Sequence, residues 1–354
     1  MPGFEIFGDE EKKEIMDVLD TGVLFRYEFA DQRNNVWKVK EFEEKYAVYC
    51  GVKHAQAVTS GTAALKVALT ALGVGPGDEV ITQGFTFVAT WEAILETGAI
   101  PVFTEVDETL NMDVEDLKKK ITPRTRVILP VHMCGSAARI DAIVAVANKH
   151  NIPVLEDTAQ AAGGSVDGKR LGSFGRCGTF SFDAVKTMTT GEGGMIITDD
   201  VDLYTSMAEY QDHGHDHVQN PGGRGGEGRR FIGFNYRMME LQGAIGIAQL
   251  AKLETMIAAQ KKHKKILKEA ASSIPGVSFR EQIDEAGDTA TFFAFFLKDA
   301  EHCKRVNESL KQDGFGAINF SENGWHFYPR WEHLLEAKSA VTSGYPFAEP
   351  GGKR

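Results

Sequence analysis

The sequence predicts an α/β fold: a mostly parallel sheet with helices on both faces, followed by a smaller α+β unit. Three observations carry this. From residue 55 onward, short apolar strands alternate with amphipathic helices, the order that builds parallel sheets through crossover helices. A helical pattern of Leu241, Ile245, Ala248, Leu253 and Ile257 persists across residues 238–271 and stops before Pro275-Gly276, long enough to link two units. Between strands expected at 179–182 and 194–198 lies a short connection holding Lys186, three threonines and Gly191-Glu-Gly-Gly194; this reads as a hairpin.

The elements follow in order. Residues 10–19 have helical spacing ended near Gly22, and residues 38–49 resume it. Between them, Phe25-Arg-Tyr-Glu-Phe29 and Arg33-Asn-Asn-Val-Trp37 fall outside any period; surface packing is the default reading, contact with a polar ligand the alternative. A strand is expected at 55–58, then Ser60-Gly-Thr62, then a helix at 63–72 whose apolar face is Leu65, Ala68, Leu69 and Leu72, with Gly73 as its C-terminal cap. Strands at 79–82, 101–103, 126–131 and 152–155 alternate with helices at 86–97, 114–121 and 139–150. Beyond the hairpin come a helix at 203–213, a glycine- and arginine-rich loop at 218–230 and the long helix. Strands at 277–279 and 292–297 and a helix at 303–312 make the smaller unit, and the Gly/Pro/Ser-rich tail at 339–354 reads as unstructured. The expected division is 1–250 for the large domain and 251–354 for the small one, as a chain of 354 residues exceeds a single core.

Composition excludes some functions. A net charge of −11 argues against nucleic acid or an anionic membrane as the main partner. The scattered cysteines Cys50, Cys134, Cys177 and Cys303 form no framework, which fits a reducing compartment. With no basic-apolar leader and no apolar run of about 18 residues, the expectation is a cytoplasmic, unanchored protein.

Local chemistry narrows the field. Lys186 alone is an ordinary loop lysine; burial and a nearby positive ring would instead lower its pKa and leave an amine able to form a Schiff base. Ser60-Gly61-Thr62 opens a helix, where unpaired N–H groups and the dipole can hold a phosphate, or where Ser60 simply caps. Glu156 and Asp157 end an apolar strand, where an acid can pair with a cationic ring or be solvated. His213, His215 and His217 alternate around Gly214. In an extended loop they could ligate zinc, although such geometry usually comes with a carboxylate or cysteine partner; anionic-substrate contact or local hydrogen bonding is favoured.

Together these stretches resemble the DegT/DnrJ/EryC1/StrS aminotransferases. The matching motifs are Ser60-Gly-Thr-Ala-Ala-Leu65, Phe85-Thr-Phe-Val-Ala-Thr90, Glu156-Asp-Thr-Ala-Gln-Ala161, Ser181-Phe182 with Lys186 and Gly191-Glu-Gly-Gly194, and Gly233-Phe-Asn-Tyr-Arg-Met238 with Gly243-Ala-Ile-Gly-Ile-Ala-Gln-Leu250. The resemblance implies fold type I with a seven-stranded sheet, pyridoxal 5′-phosphate (PLP) as cofactor and glutamate as amine donor. It also implies a homodimer with its active site at the subunit interface. Lys186 would carry the cofactor and move the substrate proton. Asp157 would pair with the pyridine nitrogen, Gln160 approach the ring hydroxyl and Phe87 stack on the ring. Gly61, Thr62 and Ser181 would hold the phosphate, with Asn235 reaching the neighbouring subunit's phosphate. Dehydratases of the family carry histidine where this chain has Lys186, so lysine favours transamination.

Further stretches, among them Phe25-Arg-Tyr-Glu-Phe29, Val131-His-Met-Cys-Gly-Ser136 and Asn323-Gly-Trp-His326, resemble the branch that aminates an 8-oxo form of the lipopolysaccharide sugar 3-deoxy-octulosonate. That resemblance implies substrate contacts from Arg26, Tyr27, His132, His213, His215, Arg237, Trp325 and His326. The alternative acceptor is a nucleotide-linked keto-hexose. Remoter alternatives are a non-catalytic cofactor-binding regulator and a histidine metal protein. Family chains continue further, so the small domain is expected to be incomplete.

Overall fold

The computed structural model describes residues 3–217 and 228–347. Most of the loop expected at 218–230, and the end of the tail expected at 339–354, lie outside the described residues. The elements are α1 (Asp9–Thr21), α2 (Lys38–Cys50), β1 (His54–Val58), α3 (Gly61–Ala71), β2 (Glu79–Gln83), α4 (Ala89–Glu96), β3 (Ile100–Thr104), α5 (Val114–Lys120), β4 (Thr125–Ile128), α6 (Ile140–Lys149) and β5 (Leu155–Asp157). There follow β6 (Ser165–Val166), β7 (Lys169–Arg170), β8 (Cys177–Ser181), β9 (Gly194–Thr198), α7 (Val201–Tyr210), α8 (Glu240–Ser272), β10 (Ser278–Phe279), β11 (Phe295–Phe296), α9 (Ala300–Gln312) and α10 (Glu332–Leu335).

Caps set several of these boundaries. The Ser60 hydroxyl accepts from Ala63 N–H, Asp113 from Glu115 and Asp116, and Asp200 from Asp202 and Leu203, supplying partners to first-turn donors that lack intrahelical acceptors. Asp113 also leads a helix with acids in its first turn and Lys118, Lys119 and Lys120 in its last, the charge order that complements the helix dipole.

Two hydrogen-bonded sheets run β1-β9-β8-β5 and β3-β2-β4. Parallel bridges Ile128–Val154 and Val131–Asp157 join them between β4 and β5. The result is one seven-stranded sheet in which β9 alone runs against its neighbours β1 and β8. Strands β2, β8 and β9 are buried along their whole length, as expected where helices cover both faces. Strand alternation divides the core: Ile196 packs with Leu65, Ala68, Leu69 of α3 and Leu203, Met207 of α7, whereas Met195 and Ile197 pack with Phe42, Tyr46 of α2 and Leu253, Met256 of α8.

Helix α8 runs unbroken for 33 residues, so the expected boundary at residue 250 falls inside it. The chain then returns to the large unit: Arg280 donates to Met133 O, and Thr289 N–H to Gly135 O at 3.0 Å. Residues 325–327 do the same at the cavity described below. Thr86 N–H donates to His326 O at 3.1 Å, Val88 N–H to Trp325 O at 3.0 Å, and Phe85 bridges Phe327.

Candidate active site

The carboxyl ends of β1, β2, β5 and β8 deliver Gly61, Phe87, Asp157 and Ser181 to one cavity of about 490 Å³, the position ligands take in open α/β sheets. Lys186, Gln160, Thr62 and His326 share its wall. Lys186 sits half-buried in the loop of the β8–β9 hairpin. Burial lowers its pKa, and the nearby Asp157 and Asp183 oppose that shift without reversing it. Its carbonyl accepts Gly3 N–H at 2.9 Å, tying the N-terminal turn to the lysine loop.

Asp157 is buried at the end of β5. Burial raises its pKa, opposed by Ala159 N–H, the Thr90 hydroxyl, Lys186 and His132. Its Oδ1 accepts from Ala159 at 3.1 Å and its Oδ2 from Thr90 Oγ1 at 2.9 Å. The adjacent Glu156 points elsewhere: its carboxylate accepts from Gly172, Phe174 and Gly175 N–H and pairs with His132. Gln160 Oε1 accepts Cys134 N–H at 2.9 Å, which leaves its amide nitrogen as the donor for the cavity.

Gly61 begins α3 directly beside β8: a Cβ there would stand 2.7 Å from Ser181 Cβ and 3.0 Å from its Oγ. Ser60 does cap this helix, yet the first-turn donors of Gly61 and Thr62 have no intrahelical acceptor. They converge with the Ser181 hydroxyl on the cavity, a cradle for a phosphate at a helix N-terminus. The donor set as a whole, a buried acid, a desolvated amine and a phosphate cradle in one cavity, fits PLP. Gly61→Ala is expected to destabilise the protein by about 1–3 kcal/mol through overpacking and to weaken PLP binding, as measured by denaturant unfolding and cofactor titration.

Phe87 and His326 make part of the wall aromatic, with Trp325 outside the cavity lining. Phe87 stacks on Trp325 with centroids 6.1 Å apart and meets His326 at 5.5 Å. Asn323 Oδ1 lies 3.0 Å from His326 Nδ1 and also accepts the Trp325 and His326 N–H groups. A carbonyl cannot donate, so Nδ1 carries the proton and Nε2 is the acceptor. Burial, then the Lys186 charge, bring the His326 pKa down to about 4.

The remaining expected substrate contacts lie away from this cavity, and the structure gives each another partner. Arg26 is buried against Glu43, 2.8 Å away, and donates to Ala57 O. Tyr27 stacks on His217 at 3.9 Å and meets Gln211. His132 is fully buried, accepting Ala138 N–H on Nδ1 and facing Glu156 through Nε2. His213 adopts φ +55° beside Gly214, and its carbonyl accepts from Arg229. His215 lies 3.1 Å from the same guanidinium. Arg237 pairs with the buried Asp212 at 2.5 Å, which also holds His217 at 2.9 Å. Among the described residues no cluster of three or more His, Cys, Asp or Glu could hold a metal ion. Asn235 is exposed and outside the cavity, its Oδ1 accepting Arg237 N–H. Removing one member of a buried ion pair strands the other. Glu43→Gln is therefore expected to lower unfolding free energy by about 3–5 kcal/mol in a denaturant titration.

Sequence reasoning missed Thr86 and Thr90, although their spacing within Phe85–Thr90 was visible. It also missed Asp183, Thr291, Phe292 and Ile318, cavity-lining residues that no local pattern marks. No helix among the described residues is long and apolar enough to cross a membrane.

A model of the DegT/DnrJ/EryC1/StrS aminotransferase family matches residues 7–345. A GDP-perosamine synthase of Caulobacter vibrioides is 45% identical over 229 residues, which span 63% of this chain and 59% of that protein's length. A GDP-perosamine synthase of Vibrio cholerae is 32% identical over 96% of this chain and 89% of its own. The structure of an E. coli GDP-4-keto-6-deoxy-D-mannose-3-dehydratase with bound hydrated PLP superposes with a TM-score of 0.81 at 27% identity, covering 94% of this chain and 87% of that one. With nearly its whole length matched in sequence and in fold, the chain belongs to the DegT/DnrJ/EryC1/StrS aminotransferase family, and its cofactor is PLP.

Proposed function

We propose that the chain moves an amino group from glutamate to the carbonyl carbon of a nucleotide-linked oxo-sugar, and that it works as a homodimer. The observation that carries this reading is the desolvated Lys186 amine in the same cavity as the buried Asp157 carboxylate. PLP supplies an electron sink for the carbon that exchanges its proton. Lys186 holds the cofactor and then moves that proton. With the cofactor bound, Asp157 would keep the ring nitrogen protonated, the α3 N-terminus and Ser181 would anchor the phosphate, and Phe87 would pack on the ring face. Lysine at position 186, rather than histidine, favours transamination over dehydration.

Two matched relatives are named for a GDP-linked amino sugar, which favours a nucleotide-linked acceptor. The octulosonate reading came from the resemblance of several sequence stretches, and most of the cationic contacts it implied are engaged elsewhere in the fold. The homodimer is supported by the exposed apolar run beside Asn235: Ile232 is 80% exposed and Phe234 50%. A second copy covering that run would bury the apolar side chains beside Asn235.

Mass spectrometry of products decides the acceptor. Glutamate would be offered with GDP-4-keto-6-deoxymannose, other nucleotide-linked keto-hexoses, or the 8-oxo form of 3-deoxy-octulosonate. Amination of a nucleotide-linked sugar supports the proposal. Amination of the octulosonate alone overturns the acceptor class, and loss of the sugar hydroxyl without amine incorporation overturns the reaction.

A further inference from the structure

The stretch Phe85-Thr-Phe-Val-Ala-Thr90 carries more than an aromatic wall. Thr86 lies in the loop that leads into α4 and Thr90 in that helix's first turn, both buried and both lining the cavity. Their hydroxyl oxygens are 2.9 Å apart, and Thr90 Oγ1 is 2.9 Å from Asp157 Oδ2. A hydroxyl has one proton to give. With Asp157 ionised, Thr90 donates to the carboxylate, so its lone pair receives the proton of Thr86. The carboxylate thus polarises both hydroxyls in one sense.

We propose that Thr90, backed by Thr86, is a positioning residue that keeps Asp157 ionised and fixed in rotation against the pyridine nitrogen of PLP. Burial alone would drive this acid toward its neutral form, which cannot stabilise a protonated ring. Two charged or titratable neighbours act against that. Lys186 helps only while its amine is charged, and burial pushes it toward neutral. His132 is turned away, with one ring nitrogen on Ala138 N–H and the other on Glu156. The hydrogen bonds to the carboxylate are Ala159 N–H on Oδ1 and Thr90 on Oδ2. Among the described residues Thr90 is therefore the one side chain that hydrogen-bonds it. With one donor on each oxygen, the plane of the carboxylate is fixed. The inference rests on PLP at this site and is independent of the sugar.

Three full-length variants test it without any substrate: Thr90→Val, Thr90→Ser and Thr86→Val. PLP affinity and the pH dependence of bound-cofactor absorbance are measured by visible titration, with thermal unfolding as the folding control. Thr90→Val is expected to weaken PLP binding about 10–100-fold, the loss of a hydrogen bond to a charged group. Removing the donor raises the Asp157 pKa, so the pH transition of the bound cofactor moves upward. Thr90→Ser is expected to retain affinity within about 3-fold, because the hydroxyl remains. Thr86→Val, which spares the Thr90–Asp157 bond, is expected to weaken binding by a smaller factor and decides the matter if Thr90→Val does not fold. Wild-type affinity and pH response in the valine variants, or equal impairment of Thr90→Ser and Thr90→Val, would overturn the proposal.

Discussion

Lys186→Ala is expected to lose at least about 10³-fold in amine transfer, since covalent attachment and proton movement depend on the same amine. PLP would still enter the cavity, held by the α3 N-terminus, Ser181 and Asp157, but the visible band of lysine-linked cofactor would be gone. Stability should barely change, because burial already disfavours the charged amine that the alanine removes. Absorbance spectra and glutamate-dependent turnover of the purified variant check this. A retained lysine-linked band would place the linkage on another residue.

Asp157→Asn removes a charge and keeps the shape. Losing the carboxylate that would face the protonated PLP ring nitrogen corresponds to about 3–5 kcal/mol, so turnover is expected to fall about 10²–10⁴-fold. A second, signed effect follows. Asp157 helps Lys186 keep its proton, so in the variant the lysine pKa falls further. PLP capture needs the neutral amine, and its pH profile therefore shifts toward lower pH. Capture rates measured across pH by stopped-flow absorbance would show the shift. An unchanged profile would mean that Asp157 and Lys186 do not sense each other.

Much of the fold was legible because its signals are local. Strand β9 occupies the expected residues 194–198: an apolar run bounded by glycines on one side and acids on the other needs no tertiary help. Strand β5 was expected at 152–155 and lies at 155–157. The apolar run there marks burial, whereas pairing begins where β8 offers partners, extending through two carboxylates that only the folded protein satisfies. Helix α7 was expected to reach 213 and ends at Tyr210, ahead of the positive φ at His213 and Gly214. Strands expected at 277–279 and 292–297 pair over two residues each, and the backbone between them, at Glu281, Gly287 and Thr289, bonds to the large unit.

The site divides the same way. Lys186, Asp157, Gln160, Gly61, Thr62, Ser181 and Phe87 were readable as motifs and meet in one cavity. Whether they hold the cofactor as assigned is what the variants above test. The arginines and histidines were readable only as residue types. Nothing near Arg26 announces that Glu43, on α2, will neutralise it, and nothing near His132 announces Glu156. Long-range partners decide whether a cation faces a ligand or a carboxylate. His326 is the exception, since pairing of residues 325–327 with 85–88 brings it to the cavity.

The most direct test is chemical trapping. Reduction of the PLP-loaded protein with sodium borohydride, followed by proteolysis and mass spectrometry, reports which amine carries the cofactor. The expected result is a single pyridoxyl-phosphate adduct on Lys186. An adduct on a different lysine, or none in protein that retains PLP, would contradict the assignment.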